Sequence, residues 1–242
     1  VDAACASSMA ALQSAVSALE DGSIDLAITG GADRSMGVPT FVKFSKIAAL
    51  SGDQSAPFDT SANGFVMGEG CGILILRRLS DAIADGQRIY ALVRGIGSSS
   101  DGKGKGITAP NPRGQRLAIN RADESAQISP EQVSYVECHG TSTQVGDRVE
   151  AEVLNETIAK QRSTPLRIGS VKSNIGHLKS AAGAASLIKA VLSISNGIFY
   201  PTLNYQQQRS DIDMRKLRVQ THPETWEQPS YRRHTGVSAF GF

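Results

Sequence analysis

The chain has 242 residues, 40% of them hydrophobic and 20% charged, with a formal net charge of +2. This is the composition of an ordinary globular protein, and its dispersed, nearly balanced charge leaves no electrostatic footprint for nucleic acid or an anionic membrane surface. No apolar run reaches the ~20 residues needed to span a bilayer, the opening residues read as a structured element rather than a signal peptide, and three cysteines without framework spacing fit free thiols in a reducing, cytoplasmic setting.

The first segment, Val1-Asp2-Ala3-Ala4-Cys5-Ala6-Ser7-Ser8-Met9, places a cysteine directly before an apolar-periodic run that reaches Leu19. Residues 6 to 20 lack Gly and Pro, and Gly22 is a natural stop, so Cys5 falls at or just before a helix N-terminus. Unpaired N–H groups and the positive end of the helix dipole gather there and stabilise a thiolate. An isolated cysteine in such a place is, by default, a small buried residue.

Ile24 to Thr29 reads as a strand ended by Gly30 and Gly31, and residues 33–60 are less regular. The turn-rich stretch from Ala56 through Asn63-Gly64-Phe65-Val66-Met67-Gly68-Glu69-Gly70 is expected to be a structural loop along a core edge. The continuous apolar run Gly72 to Leu76 predicts a strand covered on both faces. Ser80 is expected to cap a short helix over Asp81 to Asp85 that Gly86 stops. Ile89 to Ile96 reads as a further strand, and Ser98 to Gly106 as a loop. Helical spacing runs from Arg113 to Gln127, and Ser129-Pro130 starts a second helix. Val133 to Glu137 is a strand leading into Cys138-His139-Gly140-Thr141-Ser142-Thr143, followed by a helix with Val149, Val153, Leu154 and Ile158. Leu166 to Val171 is a strand leading into Lys172-Ser173-Asn174-Ile175-Gly176-His177, and a helix begins near Ser180. No repeat at a solenoid period appears.

His139 and His177 share one context: each ends a short apolar strand in a polar loop that opens a helix. Open α/β sheets bind ligands outside the C-terminal ends of their strands. Three reactive side chains at comparable junctions can therefore meet in one pocket.

With these motifs assembled, the sequence closely resembles the β-ketoacyl synthase family, and within it the branch of polyketide and polyunsaturated fatty acid synthases. The resemblance rests on Asp2 to Ser8, Asn63 to Gly70, Glu137 to Thr143 with Gly146, Asp147 and Glu150 in register, and Val171 to His177, and it extends over the whole chain. It implies an α/β, thiolase-like layered α-β-α-β-α fold with an incomplete N-terminal half: residues 1–98 would be the remainder of the half bearing the nucleophile, and 99–242 the half bearing both histidines. It further implies a decarboxylative Claisen condensation in polyketide, fatty acid or glycolipid synthesis. Cys5 would carry the acyl chain, and His139 and His177 would donate hydrogen bonds to the malonyl thioester oxygen as charge develops there. Lys172 would support the histidines, paired with Glu150, and Asp147 would be structural. Thr141 and Thr143 would hold the phosphopantetheine arm of an acyl carrier protein, and the N–H groups of Cys5 and Phe242 would form an oxyanion hole. No intrinsic cofactor or metal, a homodimer, and neither nucleic acid nor membrane as partner complete the expectation.

Cys71 and Cys138 have no place in the pattern and are expected in the core. His222 and His234 are read as structural or solvated, and Lys103 and Lys105 as a solvated loop. Ser186 stands where many fatty-acid synthases of the family carry a glutamate, which moves the expectation toward polyketide-type assembly lines. The family also carries roughly a half-domain before the nucleophile. The chain is therefore expected to be a fragment that neither folds stably nor condenses alone, its remaining sheet exposing apolar faces.

The alternatives are a thiolase-fold acyltransferase without elongation, a condensation-incompetent partner subunit, a cysteine hydrolase needing a histidine base for Cys5, and a carrier-binding scaffold. Two histidines in these motifs argue against the degradative relatives, and Cys5 itself against the incompetent subunit.

Overall fold

A computed structural model describes residues 1–103, 106 and 108–241. A 3₁₀ turn over Ala4–Ala6 leads directly into helix α1 (Ser7–Glu20), which buries Ser7, Ser8, Leu12 and Leu19 and ends at Asp21 before the left-handed Gly22. The next strand, β1 (Ala27–Asp33), starts later than the sequence suggests and runs through both glycines rather than stopping at them. Close approach explains the difference. A Cβ on Gly30 would lie 2.0 Å from the Gly72 carbonyl oxygen, and one on Gly31 would lie 2.8 Å from Ser8 Cβ and 2.9 Å from Ala181 Cα.

Helix α2 (Val38–Lys46), which the sequence pattern missed, has Pro39 in its first turn and buries no residue. Strand β2 (Gly70–Leu76) pairs antiparallel with β1. It is covered on one face only, contrary to expectation. Gly72 packs against Ala184 and Ile188, whereas Cys71, Ile73 and Ile75 point outward, the last two 56% and 70% exposed. The uncovered face is apolar, as expected of the remaining sheet, and Cys71 is exposed on it rather than in the core it was assigned to. Helix α3 (Leu79–Ala84) takes Arg78 rather than Ser80 as its cap residue, with Ser80 inside the helix.

Residues 89–96 form no strand. They run with no ladder partner, and a Cβ on Gly95 or Gly97 would strike backbone atoms of Ala122, Ala126 or Ala118 in helix α4 (Pro112–Ala126). Asn111 caps α4 by accepting from the Arg113 N–H. The helix foreseen at Ser129-Pro130 is a single 3₁₀ turn with a capping box. Strand β3 (Val133–Glu137) falls where the sequence places it, followed by α5 (Gln144–Glu156), β4 (Leu166–Gly169), the one-turn helix α6 (Lys172–Ile175) and, after a 3₁₀ turn over Lys179–Ala181, α7 (Ala182–Asn196).

The rest of the chain adds β5 (Ile198–Phe199), β6 (Leu217–Val219), β7 (Glu224–Thr225) and β8 (His234–Val237). His234, read as part of a polar tail, is the first residue of a sheet strand. The second sheet is wholly parallel in the order β6-β4-β3-β8. Its central strands are buried on both faces. Val136, Leu154, Leu166, Ile168, Leu217 and Val219 form the core on one side, and Tyr135, Phe199 and Trp226 a smaller cluster. Helix α7 packs against β1 and β2 as well as β3 and β8, so it lies between the two sheets, and α1 packs on it. The result is the layered α/β arrangement expected from the sequence. The C-terminal ends of β3 and β4 thereby face the start of α1.

Gly31 tests this packing. In the full-length protein Gly31→Ala should lower unfolding free energy by about 1–3 kcal/mol, the cost of overpacking against backbone. Gly52→Ala, at a position with nothing within 4 Å of a new Cβ, should stay within about 0.5 kcal/mol of wild type. Chemical denaturation measures both. Equal effects would contradict the close approach.

Candidate active site

Cys5 is 4% exposed. Ala4 before it has φ +49°, a left-handed conformation that a residue with a Cβ avoids. Ser7 holds the turn in that shape: its hydroxyl donates to the Ala4 carbonyl at 2.7 Å and accepts from the Ala3 N–H at 2.9 Å. From the other side Gly241 closes on the same turn so tightly that a Cβ there would lie 2.1 Å from the Ala3 carbonyl oxygen. The position ahead of α1 suggests a lowered thiol pKa, yet burial reverses the outcome. Desolvation pushes the Cys5 thiol above its ordinary range, with Asp33 adding to the rise and Lys172, Lys179 and the turn's own N–H opposing it.

The strand-to-helix loops bring His139 and His177 together, with ring centroids 5.5 Å apart and planes at 86°. Backbone donors fix both rings. The Phe240 N–H points at His139 Nδ1 (3.3 Å), and the Lys179 N–H at His177 Nδ1 (2.9 Å). A backbone N–H can only donate, so each Nδ1 accepts and each neutral ring carries its proton on Nε2. Neutrality is enforced as well. Burial holds both histidines well below their usual pKa; Lys172 lowers both further, aided by the other histidine for His139 and by Lys179 for His177. The site therefore holds two neutral N–H donors.

Glu150, expected as structural support and as a partner of Lys172, supports the site through the backbone. Its two carboxylate oxygens accept from the N–H groups of His139 and Gly140, each at 2.8 Å, which pins the loop bearing the first histidine. Lys172, 2% exposed at the start of α6, influences Glu150 through space rather than as a direct ion pair. Burial lowers the Lys172 pKa, with Glu137 and Glu150 pulling it back up. Asp147 accepts from the Phe58 N–H at 2.7 Å, so it ties the 56–70 loop to α5. Burial raises Asp147 and Glu150 each to about 7.

The Thr141 and Thr143 hydroxyls lie 3.0 Å apart, and a Cβ on Gly146 would come within 2.4 Å of Thr143 Oγ1. Both threonines, with Ala3, Ala4, His139, Phe240 and Gly241, line part of an open cleft of about 2010 Å³ that extends along residues 87–102 and α4 and whose lining includes neither Cys5 nor His177. Phe242 and Lys105 lie outside the described residues, so the second oxyanion donor has no described geometry. Cys138 is fully buried as expected, and His222 is exposed.

Sequence reasoning missed four participants. Phe240 packs its ring 5.1 Å from His139, and Phe65 packs 4.6 Å from His177. The 56–70 stretch is thus more than a loop along a core edge. Its Gly68 N–H donates to the His177 carbonyl, and its Val66 carbonyl accepts from the His177 N–H. Buried Lys179 and half-buried Asp33 form an ion pair beside the same loop. Their signal was a charged residue one position past His177-Leu178 and another at the end of a glycine-rich strand.

Among the described residues no group of three or more His, Cys, Asp or Glu is arranged to hold a metal ion, and no helix is long and apolar enough to cross a membrane.

Comparison with known proteins places this geometry. Residues 1–82 match the family description "Beta-ketoacyl synthase, N-terminal domain", and residues 90–206 match "Beta-ketoacyl synthase, C-terminal domain". The chain is 40% identical over 245 residues to the reducing polyketide synthase PKS1 of Cochliobolus heterostrophus, covering 100% of this chain and 10% of that protein. It is 41% identical over 248 residues to the pikromycin polyketide synthase component PikAIII of Streptomyces venezuelae, of which it covers 16%. Among solved structures, the ketosynthase from module 6 of the bacillaene synthase from Bacillus subtilis 168 superposes with TM-score 0.95 at 39% identity, covering 100% of this chain and 44% of that one. The OzmH KS7 oxazolomycin ketosynthase domain of Streptomyces albus JA3453 gives TM-score 0.93 at 35% identity, with 43% of that chain covered. The chain thus spans under half the length of these ketosynthases and a sixth or less of the two polyketide synthases.

The raised carboxyl of Glu150 has a stability consequence. Its folded pKa of about 7 lies above the unfolded value near 4.5, so its contribution is fully present below about pH 4.5 and is lost as pH rises through 7. Glu150→Gln in the full-length protein should therefore be most destabilising near pH 4.5, with the difference from wild type shrinking toward pH 7.5. Thermal melts across that range measure it. A difference that grows with pH would show an ionised, stabilising carboxylate instead.

Proposed function

The chain belongs to the β-ketoacyl synthase family, and from that premise we propose that it performs the condensation of a Cys5-bound acyl chain with a malonyl group on an acyl carrier protein, within polyketide-type synthesis. In this reading residues 1–98 supply the nucleophile and residues 99–242 both histidines. The carrier protein is the partner, its phosphopantetheine arm passes Thr141 and Thr143, and the working assembly is a homodimer.

The residues divide the work in three steps. The Cys5 sulfur attacks the acyl thioester carbonyl; the carbon–sulfur bond to Cys5 forms, and the pantetheine thiol leaves with a proton. In the second step the malonyl carbon–carboxylate bond breaks and carbon dioxide departs. The electron pair moves onto the thioester oxygen, where the His139 and His177 Nε2–H groups receive the developing charge. Donors already neutral and already oriented pay no reorganisation cost at that moment. Finally the enolate carbon attacks the Cys5 thioester, the new carbon–carbon bond forms, and Cys5 is released as thiolate to regain its proton. Lys172 keeps both histidines from charging and favours the thiolate.

The observation that carries this reading is the pair of Nδ1-accepting histidines. Hydrolysis of the Cys5 acyl-enzyme would need a histidine nitrogen free to take a proton from the attacking water. Here each Nδ1 is engaged by a backbone N–H and each Nε2 already bears hydrogen. That arrangement suits stabilising an enolate and does not suit general-base hydrolysis.

The test is to load the full-length protein with an acyl group and add malonyl carrier protein. A β-ketoacyl product is expected, and release of free acid alone would favour a hydrolase. His177→Ala should lower condensation by about 10²-fold or more, the scale of one lost oxyanion donor, while acyl transfer to Cys5 stays within severalfold of wild type. Equal loss of both steps would contradict the division of roles.

A further inference from the structure

Lys179 stands in the left-handed region at φ +50°, although it is not glycine and adjoins the second histidine. That backbone shape turns its N–H back onto His177 Nδ1 at 2.9 Å. A residue with a Cβ does not hold such a conformation without help from its surroundings. The side chain provides the help. Its largely buried ammonium donates to the Gly68 carbonyl at 2.7 Å and the Met36 sulfur at 3.9 Å and pairs with Asp33 Oδ1 at 3.2 Å.

Each anchor is itself fixed. Asp33 closes β1 and also accepts from the Ser180 hydroxyl at 2.9 Å, while that hydroxyl spans to the Ala32 carbonyl at 3.0 Å. Gly68 donates its N–H to the His177 carbonyl at 3.0 Å, and its lack of a side chain lets it lie against Ile175, where a Cβ would be 2.4 Å from the carbonyl oxygen. His177 is thus gripped at its carbonyl, its own N–H and its Nδ1 by a ring of contacts that closes through one ammonium.

We propose that Lys179, clamped by Asp33 and the Gly68 carbonyl, is a positioning residue that aims the Nε2–H of His177 into the active site. This rests on the condensing role given to His177 above. The clamp contains two opposite charges at unequal positions, and both are felt at the nucleophile. The charged groups facing Cys5 are Lys172 from α6, Lys179 from the turn before α7 and Asp33 from the end of β1, of which the lysines favour the thiolate and the carboxylate opposes it. Removing one half of the pair should therefore move Cys5 one way, and removing the other half should move it the opposite way. Those opposite signs report the two charges at Cys5, whereas the aim of His177 is read from kcat against KM and from its recovery in the arginine variant.

The experiment uses the full-length protein with Lys179→Met, Asp33→Asn and Lys179→Arg. Iodoacetamide labelling of the Cys5 peptide, read by mass spectrometry against pH, gives the apparent thiol pKa. It should rise by roughly half a unit in Lys179→Met and fall by a similar amount in Asp33→Asn. Condensation kcat, with acyl-loaded enzyme and malonyl carrier protein, should drop about tenfold in both neutral variants with KM little changed, as expected for an interaction made in the transition state. Lys179→Arg should recover most of kcat. Shifts of the same sign in the two neutral variants, or kcat within twofold of wild type in both, would overturn the proposal. A wild-type protein that forms no β-ketoacyl product would instead refute the condensing function, and the labelling profile would still decide whether the pair acts on the site.

Discussion

Two backbone N–H groups decide what the site can do. Those of Lys179 and Phe240 each meet a histidine Nδ1, and this fixes the proton on the opposite nitrogen of each ring. Histidine in water is poised between roles near its ordinary pKa of about 6.5. Buried beside Lys172 and held by a backbone donor, it keeps only one of them, that of a neutral hydrogen-bond donor. Much of the surrounding architecture serves to deliver those two amides. The Lys179 amide comes from a left-handed turn held by the ion pair with half-buried Asp33. The Phe240 amide comes from the segment after β8, packed against the nucleophile turn through Gly241.

Burial is the second constraint, and it acts on every charged group at once. Desolvation raises Cys5, Asp147 and Glu150 and lowers Lys172, His139 and His177. Taken alone, that would neutralise the whole site. The opposing interactions are distributed so that only some groups resist. Lys172 is supported through space by Glu137 and Glu150, whereas the two N–H donors to Glu150 only limit a rise that still reaches about 7. The histidines receive no carboxylate partner and stay neutral. A site of this kind meets developing negative charge with fixed donors in a poorly screened environment, where such donors are worth most.

The sequence was most legible where local pattern and tertiary role coincide. Val133 to Glu137 carries Val133, Tyr135 and Val136 and is buried on nearly every residue, so the strand and the loop carrying His139 could be read directly, as could the strand-to-helix setting of His177. It was least legible where the physical reason lay in a distant element. Gly30 and Gly31 looked like a strand end because nothing nearby in sequence shows that Gly72, Ser8 and Ala181 crowd them. The run at Ile73 and Ile75 looked buried because composition does not reveal which faces are covered. Residues 89–96 have strand composition, yet a strand needs a partner ladder, which composition cannot supply. Lys179 and Asp33 were invisible as a pair because 146 positions separate them and only the fold joins them. Ser186 was read from its position relative to His177, and its full burial agrees with a small residue there.

The central claim is that both histidines act as neutral donors through Nε2. Neutron diffraction from deuterated full-length protein at neutral pH tests it most directly. The account predicts deuterium on Nε2 of His139 and His177 and none on either Nδ1. Deuterium on Nδ1 of either ring, as the other tautomer or as an imidazolium, would contradict it.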